Sequence, residues 1–357
     1  MDLQAEDKKI KNLFVVDWKS TTSQALGNLF TNTKLPGSEW KFYNCYGKKY
    51  KDIGVLNLHT RYIFYFRSVL HILKNKKKYD NIIIWQPMIG FILCLLPKFY
   101  SNPKIIITSL LYSPDRVKAG SFRLFLLKKA LKKADALLYF SEDMAQNVRE
   151  SYPQYAFKVF STYLPISNNT AQENRGTRLN ESSKDSVFSG GFSDRDFETI
   201  IRAFTGTHVP VTIVCTKTHI FRDPELITSN FTIVRDVSEK EYYALALNAG
   251  CVVVALENEY SSCGQLLFTF CMKNGIPVIA TNCYGTRDYI RNGDNGILVP
   301  VKGDRAIFEA YKRLVDDTGF RERLVERSIE ISGKMTFDNY LHKIDFIIQQ
   351  IKKTNDK

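Results

Sequence analysis

Two glycine-containing loops, each following a β-branched run, hold the residues of this sequence best suited to chemistry. The first reads SGGFSDRD over residues 189–196. Gly190 and Gly191 let a backbone approach a ligand closely, Ser193 adds a hydroxyl, and Arg195 adds a guanidinium whose fork matches phosphate oxygens. The second loop, ENEYSSCGQ over residues 257–265, delivers Ser261, Ser262 and Gly264 to the start of a helix. Free backbone N–H groups and a dipole end worth roughly half a positive charge make such a start an anion site. Gln265, in the first turn, has the amide to hydrogen-bond a ribose or sugar hydroxyl. Lys217 ends a strand and is a second phosphate cation, and Glu257 and Glu259 are the carboxylates of the second loop. The chemistry these residues share is the holding of a phosphate-bearing ligand.

No metal is expected in that role. Asp194-Arg195-Asp196 is formally Asp-x-Asp, but in a loop that faces phosphate, as the family resemblance given below implies for this one, the arginine suits the task better. The seven cysteines show no Cys-x-x-Cys pair, and several lie inside apolar runs, as small buried residues of a reduced compartment do. In the first half, residues 19–24, Trp85-Gln86-Pro87 and residues 109–116 follow strands and are the loops where a second substrate would bind. Asp17, Gln86 and Asp115 are the candidates there, with Asp17 and Asp115 as alternative bases. His59 and His71 read as core or surface histidines.

These residues need a scaffold that repeats. Residues 13–18, 42–46, 82–85, 105–108 and 136–140 read as strands, with helices over 61–74 and 122–134. The strands are continuously apolar, which predicts a parallel sheet covered on both faces. Residues 167–185 are polar and read as a linker. Beyond them the rhythm restarts. Strands are expected at 187–189, 211–215, 231–234, 251–255, 278–280 and 297–299, with helices between and three more to the end. The expected domains are 1–166, the linker 167–185, 186–335, and a C-terminal segment 336–357.

The chain has 357 residues, enough for two α/β domains, and an ordinary globular composition, 44% hydrophobic and 24% charged. The net charge of +13 favours anionic partners. Basic and aromatic residues interleave in the first half, notably over 48–51, 59–67, 74–78 and 122–133, which suits an anionic membrane surface. The apolar run 82–97 falls short of the roughly 20 residues of a membrane span and is broken by Gln86, Pro87 and Gly90. The polar N-terminal residues contain no apolar core of a signal peptide, so a cytoplasmic protein is expected, peripheral on the inner face of the plasma membrane.

Residues 251–300, with Gly275-Ile276-Pro277, Gly285 and Asn295-Gly296, resemble the donor half of GT-B glycosyltransferases. They are most similar to the large retaining group that builds bacterial surface polysaccharides. Residues 189–204 resemble that family's glycine-rich first loop and following helix, and the segment from Thr336 resembles its crossover helix. The resemblance implies an α/β fold of two Rossmann-like domains with a facing cleft, the C-terminal helix packing back on the N-terminal domain. It implies a hexosyl- or N-acetylhexosaminyl-type transferase that is retaining and uses a UDP- or GDP-linked sugar; with no metal-binding spacing in the sequence, a metal-independent reaction without a cofactor is expected. The acceptor implied is a glycan or a lipid-diphosphate-linked glycan. The family's Glu-x7-Glu falls on Ser261 and Thr269, so both carboxylates are missing, with Glu257, Glu259 or Gln265 left to substitute. The catalytic set expected is Arg195, Lys217 and Glu259, with Ser261 and Thr269 counted among the donor contacts.

Three other readings compete. A sugar-nucleotide epimerase of the same fold needs a carboxylate cluster that is not evident. A non-catalytic subunit of a partner glycosyltransferase is favoured by the missing Glu pair. A nucleic-acid binder rests on charge alone and lacks any recognition motif.

Overall fold

The computed structural model describes residues 9–17, 37–46, 58–97, 103–111, 113–114, 120–166 and 184–355. The chain divides into two compact units. The first comprises Met1–Thr162 with Tyr340–Lys357, and the second Tyr163–Asn339. Asp115, residues 19–24 and residues 167–183 lie outside the described residues.

The first unit is built on a six-stranded sheet in the order β2-β1-β3-β4-β5-β6. Its strands are β1 (Ile10–Val16), β2 (Ser38–Asn44), β3 (Asn81–Ile84), β4 (Lys104–Leu110), β5 (Ala136–Tyr139) and β6 (Val159–Ser161). Every pairing is parallel. Four helices link strands after β2: α1 (Leu58–Asn75), α2 (Pro87–Leu95), α3 (Phe122–Lys133) and α4 (Glu142–Ser151). Ser121 and Ser141 cap α3 and α4 by accepting from the N–H groups of Leu124 and Met144. Strands β3 and β5 are buried at every residue, which is why they read as unbroken apolar runs.

The second unit repeats the plan. Its sheet runs β12-β11-β10-β7-β8-β9, again wholly parallel. The strands are β7 (Val187–Gly190), β8 (Val211–Cys215), β9 (Phe231–Arg235), β10 (Cys251–Val254), β11 (Val278–Thr281) and β12 (Ile297–Val299). The helices are α5 (Phe197–Phe204), α6 (Glu239–Leu247), α7 (Gln265–Lys273), α8 (Tyr284–Arg287), α9 (Asp304–Asp316) and α10 (Thr318–Ser332). A last helix, α11 (Phe337–Asn355), begins in this unit and runs into the first, where most of its residues belong.

Each sheet reverses its direction of winding once. In the first unit the chain leaves β1 to one side and β3 to the other; in the second, β7 and β10 play those parts. At such a point the loops leaving the strand ends diverge and open a crevice, the place where doubly wound sheets bind ligands.

The first unit's core centres on Phe14, fully buried and in ring contact with Phe42, Trp85 and Tyr340. Removing that ring leaves a cavity among three aromatic side chains. Phe14→Ala is therefore expected to destabilise the fold by about 3–5 kcal/mol, measured by denaturant unfolding.

Candidate functional site

The loop after β7 turns on Gly191, whose φ of 132° is open to glycine and rarely to other residues. The glycine also leaves space. A Cβ on Gly191 would lie 2.5 Å from two nitrogens of the Arg195 guanidinium, and one on Gly190 would lie 2.6 Å from the Tyr242 ring of α6. Arg195 thus folds back over its own loop. Its Nε donates to the Gly190 carbonyl at 2.8 Å and its Nη1 to the Ser193 carbonyl at 2.9 Å. Burial lowers the pKa of this guanidinium from its ordinary value, with Tyr242, Cys263 and Asp194 opposing. A half-buried cation of this kind gains more from an incoming anion than a fully solvated one does.

The second loop reaches the same place. Arg195 bridges to Leu256, and the Glu257 N–H donates to the Asp194 carbonyl at 3.1 Å. Helix α7 then starts at Gly264, with φ 92° and no side-chain cap. A Cβ on Gly264 would lie 3.7 Å from Nη2 of Arg195, so the guanidinium adjoins the positive end of α7. Gly285 braces the loop from the other side: its N–H donates to the Ser261 carbonyl at 2.8 Å. Arginine and helix start converge at the β7/β10 reversal.

Beside them lies a cavity of about 270 Å³, whose lining includes Gly191, Phe192, Arg195, Thr216, His219 and Glu257. Glu257 does not face it as a lone charge. Lys302, on left-handed backbone at φ 57°, contacts Glu257 at 2.6 Å and the buried Asp196 at 2.9 Å. Burial works to lower the Lys302 pKa, but the two carboxylates prevail and raise it. Asp196 also caps α5, accepting from the Thr199 N–H and hydroxyl.

The other expected site residues fall in different surroundings. Ser261, Ser262 and Gln265 are buried. The Ser261 hydroxyl lies 3.3 Å from Asp194, and Gln265 donates to Ser262 at 3.1 Å. Thr269 is buried within α7, its hydroxyl donating to the Gln265 carbonyl one turn back. Glu259 is exposed. The Lys217 side chain is 77% exposed, pairs with Asp236 at 3.4 Å, and is not among the cavity residues. His219 was not singled out from sequence, yet it lines the cavity. Its ring packs edge-on against Phe197 and Phe221, and its Nε2 is buried without a hydrogen-bond partner. Burial lowers its pKa, against the charges of Glu198 and Glu257. Arg235 holds its loop by donating to the carbonyls of Thr216 and His219.

In the first unit, Asp17 and Gln86 meet at the β1/β3 reversal. Gln86 donates to Asp17 at 2.7 Å and accepts from the Met88 N–H, capping α2. Burial raises the Asp17 pKa, against hydrogen bonds from Gln86 and Tyr65 and the charge of Arg61. Burial, then the Asp17 charge, pushes the nearby Tyr46 phenol up to about 12. His71 stacks on Tyr43 at 3.8 Å, a packing role.

Residues 226–331 match the family model described as Glycosyl transferases group 1. Comparison with curated proteins finds no match. Among solved structures, Anabaena HepE in complex with UDP and glucose is similar at 13% identity, over 98% of this chain and 100% of that one, with a TM-score of 0.58. A glycosyltransferase from Rickettsia africae is similar at 14% identity, over 97% and 99%, with a TM-score of 0.66. The apo form of the lipopolysaccharide outer core galactosyltransferase WaaB is similar at 15% identity, over 95% and 99%, with a TM-score of 0.59. The chain has the GT-B glycosyltransferase fold. Its second unit carries the group 1 glycosyl transferases match, and the GT-B chain's glycine loop, Arg195 and α7 start all belong to that unit.

Two outcomes follow for this GT-B protein. Gly191→Ala must drive Arg195 off its loop and strain the backbone, at a cost of about 1–3 kcal/mol, read as a lower Tm. Asp17 keeps its proton longer in the folded chain than in the unfolded one. Its stabilising contribution is therefore full below the ordinary carboxylate pKa of 3.8 and is lost as pH rises through the raised folded value. Asp17→Asn should flatten that fall in a Tm-against-pH series; an unchanged slope would remove Asp17 as its source.

Proposed function

We propose that this GT-B chain transfers a sugar, hexosyl or N-acetylhexosaminyl, from a UDP- or GDP-linked donor to a glycan or lipid-diphosphate-linked glycan. The acceptor would be met at the inner face of an anionic membrane, in surface-polysaccharide synthesis. The observation that carries the reading is the convergence of Arg195 with the uncapped start of α7 at a sheet reversal. A nucleoside diphosphate leaves with growing negative charge as the bond from the anomeric carbon to its oxygen breaks. A half-buried guanidinium and a helix N-terminus, already in place, are what stabilise such a charge. The acceptor hydroxyl forms the new bond, and its proton passes to the departing diphosphate oxygen, so retention needs no protein base. Metal independence is supported by Asp196, whose carboxylate is occupied in capping α5 and pairing with Lys302. The UDP and glucose held by HepE and the lipopolysaccharide role of WaaB support the donor and acceptor classes.

One observation favours a second reading. The positions where related enzymes carry two carboxylates hold Ser261 and Thr269, both buried and internally bonded. A donor-fold subunit that supports a partner enzyme would tolerate that.

Thermal unfolding with UDP, GDP, dTDP and CMP separates these. A ligand at a hundred times its Kd adds roughly 2.7 kcal/mol. UDP or GDP should raise Tm equally with and without EDTA, and Arg195→Ala should abolish the shift. No shift with any nucleotide would overturn the transferase reading in favour of the supporting subunit.

A further inference from the structure

The outer helical layer of the first unit carries an apolar surface that no part of the donor chemistry uses. Helix α1 has two apolar faces. One is the buried face of Phe64, Tyr65, Val69 and Ile72. The other looks outward: Ile63, Phe66 and Leu70 are 57%, 55% and 57% exposed, and their spacing places them on one stripe. Arg67 and Lys74 continue the same stripe and are exposed. Helix α3 repeats the pattern. Phe122 and Phe125, 64% and 45% exposed, stack at 6.1 Å, and Lys129 lies over the Phe125 ring at 5.3 Å. Lys128 and Lys132 point to solvent beside them.

The two stripes belong to one layer. Helix α2 packs against both α1 and α3. The crossovers from β2 to β3, β3 to β4 and β4 to β5 all progress in one direction across the sheet, so right-handed connections put these three helices on one side. The C-terminal end of α2 adds Leu95, partly exposed, and Lys133 ties α3 to that end by donating to the Leu96 carbonyl.

Charge then selects the partner. From Leu58 to Ala134 the sequence holds fifteen Lys and Arg residues against two acids, Asp80 and Asp115. None of α1, α2 and α3 contains an Asp or Glu. A soluble apolar partner would not need that asymmetry, and a second copy of the same basic face would be repelled. Exposed Phe, Ile and Leu ringed by cations match a bilayer whose headgroups are anionic and whose acyl chains take up the apolar side chains. No described helix is long and apolar enough to cross a membrane.

We propose that the α1–α2–α3 layer is a docking face for an anionic lipid leaflet, with Ile63, Phe66, Leu70, Phe122 and Phe125 inserted at the headgroup level. The inference specifies where the proposed enzyme would meet a lipid-borne acceptor. It rests on the surface of the first unit alone, so vesicle binding and nucleotide binding can fail separately.

Sedimentation with vesicles tests it on the full chain. The protein should pellet with vesicles of equal parts phosphatidylglycerol and phosphatidylcholine and stay in solution with phosphatidylcholine alone. Raising salt from about 0.1 M to 1 M, which shortens the screening length from about 10 to 3 Å, should weaken binding. Phe66→Glu with Phe122→Glu should lower partitioning by at least about tenfold, as should Lys128→Glu with Lys132→Glu. All four positions are exposed, and an unchanged Tm should confirm that each variant folds. Equal binding to both vesicle types would overturn the role given to charge. Variants that bind like the parent would move the contact to another face. A dimer in solution that Phe66→Glu dissociates would assign the face to a second copy instead.

Discussion

A guanidinium occupying space that Gly191 leaves open sits at the junction of the second unit's two glycine loops. Arg195 folds its side chain back over Gly191, while its backbone joins the loop after β7 to the loop after β10 through the Leu256 bridge. With the loops joined, Asp196 falls at the start of α5, where it caps the helix and meets Lys302, and Lys302 in turn neutralises Glu257 at the edge of the cavity. The left-handed residues Asp194 and Lys302 lie on this path, local strain held by the contacts on either side. The result is a positive corner, made of one side chain and one helix end, beside a cavity whose lining also includes two acids, Asp194 and the Lys302-paired Glu257.

Much of the architecture was legible because buried parallel strands leave a simple trace. Runs such as Asn81–Ile84 and Cys251–Val254 carry apolar residues on both faces, and the elements expected around them occur within a few residues of their observed limits. Helix α4 and strand β6 were not anticipated. Only Met144, Ala145 and Val148 of EDMAQNVRES are buried, too sparse a stripe to stand out, although Ser141 followed by two acids is a helix-start signal that could have been read.

The site was legible in its backbone and less so in its side chains. Glycine loops announce close approach, and Gly190, Gly191, Gly264 and Arg195 do come together. What Lys302, Tyr242 and His219 contribute depends on contacts between distant segments, which no local pattern encodes. Lys217 differs: its place at a strand end suggests a phosphate cation, and in the structure its side chain is exposed and pairs with Asp236, just past the end of the neighbouring strand. Ser261 and Thr269, expected from the sequence among the donor contacts, are used in the structure as internal hydrogen-bonding groups.

The central claim is that Arg195 and the start of α7 together hold the diphosphate of a nucleotide. Diffraction from crystals grown with UDP tests it most directly, with GDP crystals as the companion if UDP leaves no density. The account predicts phosphate density within hydrogen-bonding distance of both the Arg195 guanidinium and the first free N–H groups of α7. Nucleotide density elsewhere in the second unit, or phosphates that leave Arg195 turned back on Gly190 and Ser193 without contact, would contradict it.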